Sequence, residues 1–195
     1  MQKFDENLYR EKYKICTNRL LNVNYSNLGF YFITICTQNR LNYFGQIIDD
    51  RMVLNHYGKI VHEQLQLTEQ IRPYIKMDTF VVMPNHIHFV LEITDLNGRD
   101  AINRVSTDRV NGGVTGKHNC MLNKTSLGYI VRSFKSACTK QIHDFGLLYF
   151  AWQSNYYEHI IYNDESLYNI REYIINNPRN WNIDRNNFRI IYAIK

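Results

Sequence analysis

The order of periodicities along the chain predicts an α+β sandwich, a mostly antiparallel sheet with helices packed against it. Short β-branched and aromatic runs follow one another across tight turn signals, as antiparallel neighbours do. Segments with helical spacing of apolar residues fall between and after them, so the string reads β-β-β-α-β-β-loop-α-(β)-α-β. Size and composition agree: 195 residues with 45% hydrophobic side chains suit one domain with an ordinary core, and exclude whole-chain disorder, collagen and coiled coil.

Residues 1–28 are polar and tyrosine-rich, with basic residues spread through them. A first strand is expected at Phe30–Thr37 (FYFITICT), which contains no Gly or Pro. Tyr43–Ile48 and Met52–Leu54, on either side of Asp49-Asp50-Arg51, read as a hairpin. From His56 the period changes: Ile60, Val61, Gln64, Leu65 and Ile71 fall at roughly helical spacing, and the helix over 56–71 is closed by Pro73. Residues 76–83 and 86–94 read as two strands joined at Met83-Pro84-Asn85, because proline fixes φ and asparagine tolerates tight turns. No period is sustained from Asp95 to about Thr125, a stretch holding Gly98, Gly112, Gly113 and Gly116, so a long mobile loop at about 95–125 is expected within a single domain spanning 1–195. The clearest helix spans about 126–143, where Leu127, Ile130, Val131, Phe134, Ala137, Cys138 and Ile142 form one stripe. A last helix is expected from Asp164 to Asn177, with Asn163 as N-cap and Pro178 ending it. Phe188–Ile194 looks like a closing strand.

No apolar run approaches the roughly 18–20 residues of a spanning helix. The leading MQKFDENLYREKYKIC has no apolar stretch of the signal-peptide kind, so a cytoplasmic protein with no membrane partner is expected. Cys16, Cys36, Cys120 and Cys138 lie far apart without a C-x-x-C pair, which argues against a zinc ribbon and a disulfide framework. A net charge of +5 and a pI near 9.0 permit a polyanionic partner without requiring one.

The sharpest chemical feature is Asn85-His86-Ile87-His88-Phe89-Val90-Leu91-Glu92. On a strand His86 and His88 share one face, while Ile87, Phe89 and Leu91 share the other and supply what a core needs. The two imidazoles would project together, exposed beside the proline turn, close enough for one metal ion. With seven histidines in the chain an H-x-H also arises by chance, so the pair alone leaves both readings open. On the last helix Tyr173 and Asn177 are four apart, about 40° around the axis and hence on one face. They lie along one edge of the stripe formed by Leu167, Ile170 and Ile174, facing whatever the sheet displays. Asn177 sits at the helix C-terminus, whose partial negative charge favours a cation. From these residues alone the plainer reading is preferred, with Tyr173 one of fifteen tyrosines and Asn177 a C-cap.

Beyond these residues, the chain resembles the single-tyrosine HUH transposases, the insertion-sequence-200-like group, and especially their REP-associated branch. The His-hydrophobic-His motif is His86-Ile87-His88 within VVMPNHIHFVL. Further matching blocks are GFYFITICTQNR, MLNKTSLGYIVRSFKSACTK and WQSNYYEHIIYNDESLYNIREYIINNPRNW, in the same order and covering about residues 20–182. The resemblance implies a ferredoxin-like sandwich with the HUH motif on a central strand. It implies that His86 and His88 are metal ligands, that Tyr173 in REYIINNP is the nucleophile, and that Asn177 is the third ligand, where the insertion-sequence branch carries Gln. The implied activity is metal-dependent cleavage and rejoining of single-stranded, hairpin-bearing DNA through a 5′-phosphotyrosine, with Mg²⁺ or Mn²⁺ as cofactor and a monomer or homodimer as the working unit.

The residue chemistry suits that activity. A phenol with an ordinary pKa of about 10 must be activated as it attacks. Two neutral imidazoles and an amide would leave a divalent ion its full charge, and open positions for phosphate oxygens. No general base is evident; Glu92 shares the histidine face but lies further along the strand. His159, in YYEHII, reads as a strand residue contacting DNA or core, and Tyr156 and Tyr157 have no ligand partner at helical spacing. Arg132, Lys135 and Lys140 either hold DNA phosphates or form a solvated helix face. The 15 Tyr and 10 Phe would suit stacking of unpaired bases, although most belong in a core, as Trp152 does. The alternatives are a domesticated DNA-hairpin or single-stranded nucleic-acid binding protein without turnover, an RRM-like RNA-binding module, and a metal hydrolase of small phosphodiesters.

Overall fold

The computed structural model of the chain describes residues 28–94 and 125–187, and the short paired strands Leu8–Tyr9 and Tyr13–Lys14. The expected 95–125 loop (Thr125 excepted) and the expected closing strand Phe188–Ile194 lie outside the described residues. The elements are β1 (Gly29–Cys36), β2 (Gly45–Ile48), β3 (Arg51–Leu54), α1 (His56–Gln70), β4 (Ile75–Val82), β5 (His86–Ile93), α2 (Leu127–Asp144), β6 (Tyr157–Ile161) and α3 (Asp164–Asn176). Each except β6, a strand expected between the last two helices without stated bounds, matches an expected segment to within one or two residues.

Four strands form the main sheet in the order β4-β5-β1-β6, with every neighbouring pair antiparallel. The path β1-α1-β4-β5-α2-β6 over that order is the ferredoxin-like split βαβ arrangement, and it makes β1 and β5 the inner strands. The β2–β3 hairpin is a separate two-stranded sheet inserted before α1. Its turn is Asp49-Asp50 alone, with φ of 47° and 60°, the doubly positive pattern whose twist matches a tight hairpin, and Arg51 already belongs to β3. In the first turn of α1, a Cβ on Gly58 would lie 2.1 Å from the Phe44 carbonyl oxygen, so the chain before the hairpin meets the helix where only glycine fits.

The sheet is buried on both faces, and alternation decides what each receives. Tyr31, Ile33 and Ile35 of β1 join Ile87, Phe89, Leu91 and Ile93 of β5 in one cluster with Ile60, Val61 and Leu65 of α1 and Ile130, Val131 and Phe134 of α2. Trp152 is part of this core, as expected. The opposite face carries a smaller cluster, Phe32, Val90 and Ile161 under Leu167 and Ile174 of α3. A register shift in β4 between Met77 and Thr79 marks a bulge at Asp78, whose carboxylate receives both Arg171 Nε and a second Arg171 nitrogen. That bidentate pair ties α3 across the edge of the sheet, two residues before Tyr173.

Candidate metal centre and nucleophile

The alternation that sends Ile87 and Phe89 toward α1 and α2 sends His86 and His88 to the α3 face. There the expectation of exposed imidazoles fails: His86 is 0% and His88 2% exposed. Aromatic rings account for the cover. Phe32 stacks on His88 at a centroid distance of 5.4 Å, the Tyr173 ring lies 5.2 Å from His88, and Trp181 stacks on His86 at 6.0 Å.

Hydrogen bonding sets the imidazole nitrogens. Nδ1 of His86 is 2.9 Å from Oδ1 of Asn85, whose Nδ2 donates to the carbonyls of Arg40 and Asn186 at 3.0 and 2.9 Å. Those donations fix which end of the amide faces the ring, so His86 carries its hydrogen on Nδ1 and leaves Nε2 bare. Nδ1 of His88 is 2.8 Å from Oγ1 of Thr34, its register partner on β1. The two Nε2 atoms then face one another at 3.0 Å. Burial pushes the His86 pKa down to about 3, with the Arg40 charge acting the same way. Burial, followed by the neighbouring His86, also drives His88 well below the ordinary value. Both rings are therefore neutral near pH 7, the form that ligates metals.

α3 supplies the next two groups. The Tyr173 hydroxyl lies 3.3 Å from Nε2 of His88, while 43% of the residue stays exposed. Burial of its ring and then the Asp184 charge raise the phenol's pKa, with the Asn177 amide and Arg185 opposing, so Tyr173 is protonated at rest. Asn177 is the C-cap of α3 and 1% exposed, and its Oδ1 has no hydrogen-bond partner. A buried acceptor left unpaired costs on the order of 1–3 kcal/mol, and this one sits at the negative end of a helix.

A further group was not anticipated from the sequence. Asp184 follows α3, and Oδ2 lies 3.8 Å from Nε2 of His86 with its side chain 4% exposed. His86, His88 and Asp184 bring one ligand atom each to within 4.8 Å of one another. The available signal was slight: Asp184 is the only acidic residue after Glu172. Nearby Cys36, register partner of His86, keeps its thiol protonated because burial pushes its pKa up. Two neutral imidazoles, an orphaned amide oxygen and a carboxylate, without a thiolate, fit a divalent ion that accepts nitrogen and oxygen ligands.

The remaining sequence candidates fall elsewhere. His159 is exposed on β6, paired in register with Phe32, and lines an open groove of about 470 Å³ with Phe32, Tyr157, Asn163 and Asn169. Tyr157 shares that groove, whereas Tyr156 packs against the opposite core. Arg132, Lys135 and Lys140 are on α2, across the sheet from the histidines. Lys135 donates to the carbonyls of Gln153 and Ser154 at 2.5 and 3.2 Å, Lys140 pairs with Asp144 at 2.6 Å, and Arg132 is exposed. Glu92 lies two rungs beyond Val90, at the far end of β5.

The split βαβ sheet, with a His-x-His pair on an inner strand and a tyrosine-bearing helix laid over it, has the fold of a solved tyrosine transposase. The structure superposes on a REP-associated tyrosine transposase solved bound to a REP hairpin with a TM-score of 0.52, at 18% identity over 84% of this chain and 73% of that one. The chain belongs to the same family as an uncharacterized protein of Haemophilus influenzae, with which it is 36% identical over 178 residues, 86% of this chain and 89% of that protein. No family model matches the sequence. Among the described residues, no helix is long and apolar enough to cross a membrane.

Proposed function

We propose that the protein is a tyrosine transposase that cuts and rejoins single-stranded DNA, with Tyr173 as nucleophile and a divalent ion held by His86, His88 and Asn177. The observation that carries this reading is the Tyr173 hydroxyl 3.3 Å from a neutral, buried imidazole nitrogen, on a residue that stays 43% exposed. The orphaned Asn177 Oδ1, one helical turn on, supports the same reading. Hairpin DNA is the proposed substrate, as it is the ligand in the REP-associated neighbour.

When bound, Mg²⁺ or Mn²⁺ supplies positive charge that polarises the scissile phosphate and offsets the charge developing on it. The rest is the work of the chain. α3 presents the Tyr173 oxygen to the phosphate, held by the Phe32 and His88 rings against which its own ring packs. The oxygen attacks phosphorus, the bond to the 3′ oxygen breaks, and the 5′ phosphate becomes esterified to Tyr173. The phenolic proton passes to water, and the departing oxygen takes one up as a 3′-hydroxyl. Rejoining reverses the step with an incoming 3′-hydroxyl, so bond energy is conserved without ATP. The groove along β6 and α3 would take the strand next to the scissile phosphate, with His159 and Tyr157 against it. Arg132, Lys135 and Lys140, on the other side of the sheet, would meet phosphates further along a hairpin.

The test is incubation with labelled single-stranded DNA carrying hairpins that flank the gene, plus Mn²⁺. A protein–DNA adduct on a denaturing gel, absent from Tyr173→Phe and with EDTA, is the expected result. Tight hairpin-dependent binding without an adduct would instead identify a hairpin-binding protein without turnover.

A further inference from the structure

We infer that Asp184 is itself a ligand of the cation, and that the cation fastens the 181–187 segment onto the HUH strand. The inference rests on the metal-dependent reading above and adds a ligand to it.

His86 Nε2 is bare because Nδ1 carries the hydrogen bonded to Asn85, so it has no proton to offer the Asp184 carboxylate 3.8 Å away. Oδ1 of Asp184 accepts from the Asn186 backbone N–H at 2.6 Å, which leaves Oδ2 as the oxygen turned toward the imidazole. A lone pair and a buried anionic oxygen facing each other repel unless a positive charge lies between them. His88 Nε2 stands 3.0 Å from His86 Nε2 in the same place. Two nitrogens and one carboxylate oxygen within 4.8 Å of one another make a two-histidine, one-carboxylate triad, a set that binds a divalent ion while keeping coordination positions open. The carboxylate adds the one full negative charge that neutral histidines and an amide do not supply, and hard oxygen-seeking ions respond most strongly to it.

The placement of Asp184 extends the consequence beyond the site. The segment that carries it is pinned by the Arg40 guanidinium on the Arg185 carbonyl at 2.7 Å, by Asn85 on the Asn186 carbonyl at 2.9 Å, and by Trp181 stacked on His86. Asn85 and Trp181 thus bind one histidine and the segment alike. A cation shared by Asp184 and the histidines therefore links docking of the segment to occupancy of the site, since whatever binds only the docked arrangement stabilises it.

The experiment measures Mn²⁺ binding without DNA, by isothermal titration and by the loss of the free-ion paramagnetic resonance signal. It compares the full chain with Asp184→Asn, Asp184→Cys and His86→Ala. Asp184→Asn keeps an oxygen for the Asn186 N–H while removing the charge, and is expected to weaken Mn²⁺ binding at least tenfold. Asp184→Cys is expected to lose Mn²⁺ affinity and gain Cd²⁺ affinity, a reversal of preference that loss of stability cannot produce. Mn²⁺ should slow amide hydrogen exchange at Asn186 and Asn187 in the wild type and not in Asp184→Asn. If His86→Ala abolishes binding while both Asp184 variants keep wild-type affinity and preference, the inference is overturned and the metal-dependent reading stands. If the wild type does not bind Mn²⁺, both are overturned.

Discussion

The phenolic oxygen of Tyr173 and Nε2 of His88, 85 positions apart in sequence, lie 3.3 Å from each other across the face of the sheet. Neither element would place them there alone. β5 turns His88 to this face because Ile87 and Phe89 are needed in the opposite core, and α3 brings Tyr173 over it because Leu167 and Ile174 bury against Phe32 and Val90. The juxtaposition is a by-product of packing on both sides of one sheet, and the proposed chemistry depends on how firmly that packing holds.

Phe32 bears most directly on it, because its ring stacks on His88 and meets Tyr173 edge-on at 6.1 Å. Phe32→Ala should cost about 3 kcal/mol of stability and lower the rate of adduct formation at temperatures where the variant is fully folded. Phe32→Leu should recover most of the stability but less of the rate. Urea unfolding and single-turnover adduct formation measure the two, and equal recovery of both would count against a positioning role for the ring.

The Arg171–Asp78 pair should act on position more than on stability. Arg171 is 41% exposed on its side chain, so the pair is worth about 1 kcal/mol or less. Asp78→Ala and Arg171→Ala should each leave the urea midpoint nearly unchanged while slowing adduct formation, and the double variant should be no slower than either single one. Independent, multiplying losses of rate would show that the two residues do not act through each other.

Acid should destabilise the fold through His86 in a defined window. Its folded pKa, about 3, lies below the ordinary 6.5, so the unfolded chain takes up the proton first. The contribution of the neutral ring is fully present above pH 6.5 and is lost as pH falls toward 3, with His88 acting in the same direction. The stability gap between wild type and His86→Gln, measured by urea unfolding, should narrow from pH 7 to pH 4. A gap that stays constant would contradict this.

Trp181 should prove part of that same burial. It is 9% exposed and covers His86, so Trp181→Ala should cost about 3 kcal/mol. The same variant should raise the His86 pKa toward its ordinary value by admitting water. Trp181→Phe should largely preserve both. Imidazole proton shifts followed through a pH titration give the readout, and an unmoved His86 would show that its shift arises elsewhere.

How much of this was legible in the sequence follows from how local each signal is. β5 and α2 could be read because a period of two or of 3.6 is written in adjacent residues, and the Asn163 cap because its side chain reaches only to the Ser166 N–H. The common face of Tyr173 and Asn177 followed from helix geometry for the same reason. The burial of the histidine pair could not be read, because its cover comes from Phe32, Tyr173 and Trp181, which no spacing connects to His86. Asp184 was missed because it sits in a stretch without a period, just past a 3₁₀ turn at Trp181–Ile183, and is brought to the site where the Arg40 and Asn85 side chains donate to the Arg185 and Asn186 carbonyls.

The most direct measurement of the central claim is to identify the residue that becomes joined to DNA. The protein would be incubated with hairpin-bearing single-stranded DNA and Mn²⁺, digested with nuclease and protease, and the peptides sequenced by mass spectrometry. A 5′-phosphonucleotide on Tyr173, within the peptide that contains Glu172 and Ile174, is the expected result. A nucleotide on Tyr157 or any other residue, or cleaved DNA with no modified peptide, would contradict it.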